Sequence, residues 1–134
     1  MNDATSAGIR AYRAAGAHGR VEGADPHRLV QLMFEALLDR LALARGHMER
    51  GRTGPKGEAL SRAIALFEAL SASLDLERGG DIAVNLRALY DYAMRRLLDA
   101  NLRNDTAALD EVAGLVREVK SAWDAIGPAV GSRP

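Results

Sequence analysis

Three histidines, His18, His27 and His47, are the first candidates for chemistry, because imidazole is the commonest metal ligand and titrates near neutral pH. A helical protein holds a di-iron centre with Glu-x-x-His on two facing helices. No glutamate in this chain is followed three residues later by histidine. The three histidines fall in an N-terminal arm, at a helix start and near a helix end, so they share no face. His47-Met48 offers two haem-ligand types side by side, but adjacent helical residues point about 100° apart and cannot meet one iron. Arg78-Gly-Gly-Asp81 lacks the following Gly-Lys-Ser/Thr of a phosphate loop and reads as a break between helices. The few serines sit in no nucleophile elbow. The residue pattern implies no enzyme, no cofactor and no metal.

Charge and length narrow the remaining classes. Lysine plus arginine and aspartate plus glutamate both number 18, so the net charge is zero and no global field gathers nucleic acid or an anionic membrane. Cysteine is absent, which excludes disulfides and zinc–thiolate sites. No run approaches the roughly 18 apolar residues of a membrane span, and residues 1–23 lack the apolar core of a signal peptide. A cytoplasmic protein without membrane insertion is expected. The 134 residues suffice for one core and one domain.

The elements follow from apolar spacing. Residues 1–24 are small and polar, with Ile9, Tyr12 and Val21 as their sizeable apolar groups after Met1, and read as a mobile arm. Asp25-Pro26 starts a helix, since Asp caps free amides and Pro at the first position loses no hydrogen bond. Val30, Phe34, Leu37, Leu41, Ala44 and Met48 then recur at helical spacing. The Gly51–Gly57 run, with three glycines and a proline, is expected to break the chain. A second helix carries Leu60, Ile64, Phe67, Leu70 and Leu74. Gly79-Gly80 ends it, and Asp81 is placed to cap a third helix bearing Ile82, Leu86, Leu89, Ala93, Leu97 and Ala100. Asn104-Asp105-Thr106 makes a polar turn, and a fourth helix presents Leu109, Val112, Val116, Val119 and Trp123 before Gly127-Pro128. Short connections force neighbouring helices antiparallel. The expectation is an all-α, up-down-up-down antiparallel four-helix bundle over 25–127, with a mobile N-terminal arm at 1–24 and a disordered tail at 128–134.

These helices carry more apolar surface than one inward stripe requires. Leu29, Leu32, Ala36 and Leu43 form a second stripe on the first helix. Ala83, Tyr90, Met94 and Asn101 line up beside the core stripe of the third. Leu115, Ala122 and Ile126 flank the fourth. Such width serves either contact with two neighbours or a groove for an amphipathic partner helix. Asn85 and Tyr92, seven apart, share one side of the third helix and either tie helix to helix or touch a partner.

One stretch is distinctive as a whole. Ser73-Leu-Asp-Leu-Glu-Arg-Gly-Gly-Asp-Ile-Ala-Val-Asn-Leu-Arg-Ala-Leu-Tyr-Asp-Tyr92 resembles the signature of the flagellar secretion chaperone family, FliS. Arg96-Leu-Leu-Asp-Ala-Asn-Leu-Arg-Asn-Asp105, Glu111-Val and Ala122-Trp123 continue it in the family's order, and the resemblance covers residues 12 to about 126. Two places depart from the usual pattern. Gly23-Ala-Asp-Pro26 stands where a Thr/Ser-Ala-Ser-Pro start is usual, and Met33-Phe-Glu-Ala36 replaces Leu-Tyr-(Asp/Glu)-Gly, losing a hydroxyl and adding a methyl.

The resemblance implies a cytoplasmic export chaperone that binds the disordered C-terminal region of flagellin. It would prevent premature polymerisation and release its client at components of the flagellar export gate during type III secretion. Tyr12 matches the family's N-terminal tyrosine, in an arm thought to cover part of the binding surface. With the extra stripes, this makes Ile9, Tyr12, Leu29, Leu32, Ala36, Ala83, Tyr90, Met94, Leu97 and Asn101 the expected partner-binding residues. The competing expectation is a homodimeric or adaptor bundle that binds a folded partner through the same stripes.

Overall fold

The computed structural model describes residues 25–127. The expected arm, including Ile9 and Tyr12, and the expected tail lie outside the described residues. Four helices follow one another: α1 (Pro26–Glu49), α2 (Thr53–Ala72), α3 (Leu76–Arg103) and α4 (Thr106–Ile126). There is no strand among the described residues. Each helix packs on its neighbours in the chain, and α1 closes the ring against α4. This is the antiparallel four-helix bundle expected from the spacing.

The caps explain three of the helix starts. The Asp25 carboxylate accepts from the Arg28 amide at 2.7 Å, with Pro26 opening α1. Asp105 caps α4 through the Ala108 amide at 3.2 Å. Between α3 and α4, Asn104 adopts a left-handed conformation (φ 50°), which asparagine tolerates better than most side chains.

The remaining breaks differ from expectation. Residues 53–57 do not form a loop, because α2 begins at Thr53 and takes in Gly54, Pro55 and Gly57. The first-turn amides have no acceptor within a helix, so Pro55 at the third position forfeits nothing. At the next junction α2 stops at Ala72, which leaves Leu74 in the turn. Asp75 then caps α3 by accepting from the Arg78 amide at 3.1 Å, ahead of the two glycines. Gly79-Gly80 is therefore a kink within α3, where Gly80 takes φ 54°, ψ −132°. A Cβ on Gly79 would lie 2.6 Å from that of Ala83, so glycine also permits the close approach.

The core is wide. Met33, Leu37, Leu66, Leu97 and Val112 are wholly shielded, with Phe34 and Phe67 close behind. Full burial of each such side chain contributes about 1.5–3 kcal/mol. On α1 the buried set includes Leu29 and Leu32 as well as the Phe34–Met48 stripe, so the helix packs through both. On α3 the inward line runs through Ala83, Tyr90, Ala93, Leu97 and Ala100. Ile82, expected in the core, is 74% exposed. Ala93 and Ala100 let α3 approach closely, while the Tyr90 ring packs 5.9 Å from that of Phe67. Packing therefore favours that side over the side richer in large aliphatic residues.

Candidate functional site

The seam between α3 and α4 has two unlike halves. Toward the Asn104 turn it is bolted by polar groups. The Tyr92 hydroxyl donates to Glu111 Oε2 at 2.6 Å, and Arg96 Nε donates to Glu111 Oε1 at 2.8 Å. These bonds hold the Glu111 carboxyl below its ordinary range, the Tyr92 contact contributing most. The same contact pushes the Tyr92 hydroxyl up, and Glu111 raises Arg96. Tyr92 thus ties helix to helix, one of the two roles open to it in the sequence, while Asn85 is exposed. Arg96 is engaged, whereas its neighbour Arg95 is exposed.

Away from the turn the seam is largely apolar, interrupted by Asn85 on α3 and Glu118 on α4. Glu111 faces α3, and Leu115, Ala122 and Ile126 repeat at helical spacing along the same side of α4. Leu89 and Ile82 continue the Tyr92–Arg96 side of α3. Where the bolt ends, Leu89, Tyr90 and Ala93 face Leu115, Val116 and Val119 across a cleft floored by Phe34 and Phe67. It encloses about 10 Å³, close to the space needed for one water. Tyr90 is 4% exposed, and burial pushes its phenol up to about 12, so it remains a neutral hydroxyl. At the open end Ile82 and Ile126 are exposed, the latter by 46%. The cleft itself offers apolar contact and, beyond the neutral Tyr90 hydroxyl, no polar side chain. Among the described residues no three His, Asp or Glu side chains gather to hold a metal, and no helix is long and apolar enough to cross a membrane.

The residues expected to meet a partner are distributed differently by the fold. Leu29, Leu32, Ala83, Tyr90 and Leu97 are buried in the bundle, so they do not form the outward stripes expected. Ala36 and Met94 are half-buried against the core. Asn101 is exposed, with its carbonyl accepting from Lys56 Nζ at 3.0 Å. Tyr90 reaches the cleft. The groove instead relies on Leu89 and Ile82, read in the sequence as core, and on Leu115, Ala122 and Ile126, whose spacing did signal a surplus apolar flank.

Comparison with known proteins matches residues 8–130 to the family model described as Flagellar protein FliS. The flagellar secretion chaperone FliS of Salmonella typhimurium is 46% identical over 125 residues, covering 92% of this chain and 93% of that protein. The flagellar secretion chaperone FliSB of Pseudomonas aeruginosa is 47% identical over 118 residues, covering 88% and 94%. A more distant relative, FliS of Bacillus subtilis, is 33% identical over 103 residues, covering 77% and 76%.

Proposed function

Because the chain belongs to the FliS family and is a flagellar export chaperone rather than an enzyme, we propose that it binds the disordered C-terminal segment of flagellin and orders it as amphipathic helix along the α3–α4 groove. The observation that carries this reading is the apolar half-seam of Ile82, Leu89, Leu115 and Ile126 beside a cleft floored by two phenylalanines. An amphipathic helix recognises such a groove through anchors at helical spacing. Ordering the client costs about 2–5 kcal/mol or more of the gross interaction, which keeps the complex releasable. Held there, the flagellin segment is kept from polymerisation until the cytoplasmic complex reaches the type III export gate.

Of the residues first expected at the interface, Tyr90 belongs to this site as the wall of the cleft. Met94 and Asn101, on the α2 side of α3, and Ile9 and Tyr12, in the N-terminal segment, are proposed as outlying contacts. The test is titration of a flagellin C-terminal peptide, followed by calorimetry and by the gain of helical circular dichroism. Ile126→Glu and Ile82→Glu alter exposed positions, so both variants should keep their melting temperature while losing affinity about tenfold or more. Unchanged affinity in both would place the client elsewhere. Binding to folded flagellin but not to the peptide would favour an adaptor.

A further inference from the structure

Glu118 repeats the placement of Glu111 without its partners. The two residues are seven apart on α4, about 20° short of two full turns, so both stand on the side that faces α3. Across the seam Glu111 is held by Tyr92 and Arg96. Because the two helices run antiparallel, the equivalent positions for Glu118 lie seven residues earlier on α3, at Asn85 and Leu89. Leu89 carries no charge, and the Asn85 amide makes no bond to Glu118. Both Asn85 and Glu118 are exposed, and neither makes a hydrogen bond or ion pair with any described residue. Leu115 and Val119, which wall the cleft, stand beside Glu118 on α4.

A lone carboxylate in an apolar groove limits what can cover it. Ionised, it only accepts hydrogen bonds. A helix that laid an aliphatic side chain over it would strip its water and leave the charge unpaired, which is costly. A helix that laid a cation there would keep the charge paired, and the apolar walls alongside would strengthen the contact by excluding water. The groove therefore discriminates by penalty as well as by attraction. Glu118 also fixes where the cation must fall. It lies three residues past Leu115, about 4.5 Å along α4, so the cation sits within one turn of the apolar side chain that meets Leu89 and Leu115. On an amphipathic helix that is three or four positions away.

Resting on the α3–α4 groove as the client site, we propose that Glu118 is a specificity residue of that groove. It selects a client helix that presents an arginine or lysine three or four positions from its apolar anchor. Glu111 shows the same pairing made within the chain, where Arg96 Nε donates to its carboxylate at 2.8 Å. The client supplies for Glu118 what Arg96 supplies for Glu111. Asn85, on the opposite bank, offers its amide oxygen to the same cation.

Calorimetric titration tests this pairing, with a flagellin C-terminal peptide and a set of peptides in which each lysine or arginine is changed singly to glutamine. Each is titrated into the full-length wild-type chain and into Glu118→Gln, at low and at high salt. Glu118 is exposed and unpartnered among the described residues, so the variant should keep its melting temperature. At low salt Glu118→Gln should bind the unaltered peptide about fivefold more weakly, and high salt should shrink that difference. One peptide substitution should cost the wild-type chain a similar factor and cost Glu118→Gln nothing, which identifies the paired cation by a double-mutant cycle. Ile82→Glu serves as the control for the groove itself. If Ile82→Glu loses the peptide while Glu118→Gln binds as wild type does, the groove stands and the proposal is overturned. Peptide substitutions that all cost the two chains equally would also overturn it, since no cation would then be coupled to Glu118. Unchanged affinity in both Ile82→Glu and Glu118→Gln would overturn the groove reading and this pairing together.

Discussion

His27 and Trp123, at the start of α1 and near the end of α4, clasp each other by two hydrogen bonds and a ring stack. Trp123 Nε1 donates to the His27 carbonyl at 3.0 Å, and His27 Nε2–H donates to the Trp123 carbonyl at 2.9 Å. The rings stack at 4.9 Å between centroids and 13° between planes. Ninety-six positions apart in the chain, the two residues close the helical ring where α1 begins. They also account for the burial of His27, which is 2% exposed. Trp123→Ala removes the stack and one donor and leaves the His27 carbonyl short of a partner. Urea denaturation should show a loss of about 3 kcal/mol, and an unchanged midpoint would mean that α4 is anchored elsewhere.

Lys56 offers a second long-range test. It is 4% exposed, and its ammonium donates to the Asn101 carbonyl at 3.0 Å and to Asn104 Oδ1 at 2.6 Å. A cation at the carbonyl end of α3 suits the helix dipole. Lys56→Met keeps most of the stem but strands both acceptors, so a loss of about 1–3 kcal/mol is expected. Asn104→Gly keeps the left-handed turn and removes only one acceptor, and should cost less. The order of the two melting temperatures checks the account.

Glycine substitutions should separate by backbone geometry. Gly114 is helical, with nothing within 4 Å of an added Cβ, so Gly114→Ala should stabilise α4 by about 0.5–1 kcal/mol. Gly80→Ala forces an L residue to φ 54°, ψ −132° and should cost about 1–3 kcal/mol. Thermal melts of the two variants should move in opposite directions.

The pH profile should show two limbs of different origin. The Tyr92 and Arg96 bonds hold the Glu111 carboxyl low, and Lys120 and then Gln31 do the same for Asp124. The folded chain therefore binds these protons less readily than the unfolded chain. The resulting stability is complete above the unfolded carboxylate value of about 4 and is lost as pH falls through the lower folded values. Glu111→Gln should flatten this acid limb in denaturation midpoints.

Tyr90 acts in the opposite direction. Its phenol is raised to about 12 by burial, so the unfolded chain loses that proton first. Its contribution is complete below about 10 and disappears as pH rises through the folded value. Tyr90→Phe should reduce the alkaline limb, leaving the part that comes from the raised Tyr92 hydroxyl, and leave the acid limb unchanged.

By itself the sequence determined the helices, their order and much of their capping. Helical spacing of apolar residues, Asp25-Pro26 and Asn104-Asp105 are local signals, and local physics sufficed to read them. The surplus apolar flank of Leu115, Ala122 and Ile126 was legible for the same reason. Tertiary structure decided which side of α3 points inward. Ile82, Leu86 and Leu89 outrank Ala83 and Ala93 in hydrophobicity, yet close helix approach rewards small residues and the Tyr90–Phe67 fit. It also decided the closures by His27–Trp123 and Lys56–Asn104, where each partner is ordinary in its own segment. Helical periodicity reports the width of an apolar face but not the direction from which its neighbour comes, and that direction is set only when four helices share one core.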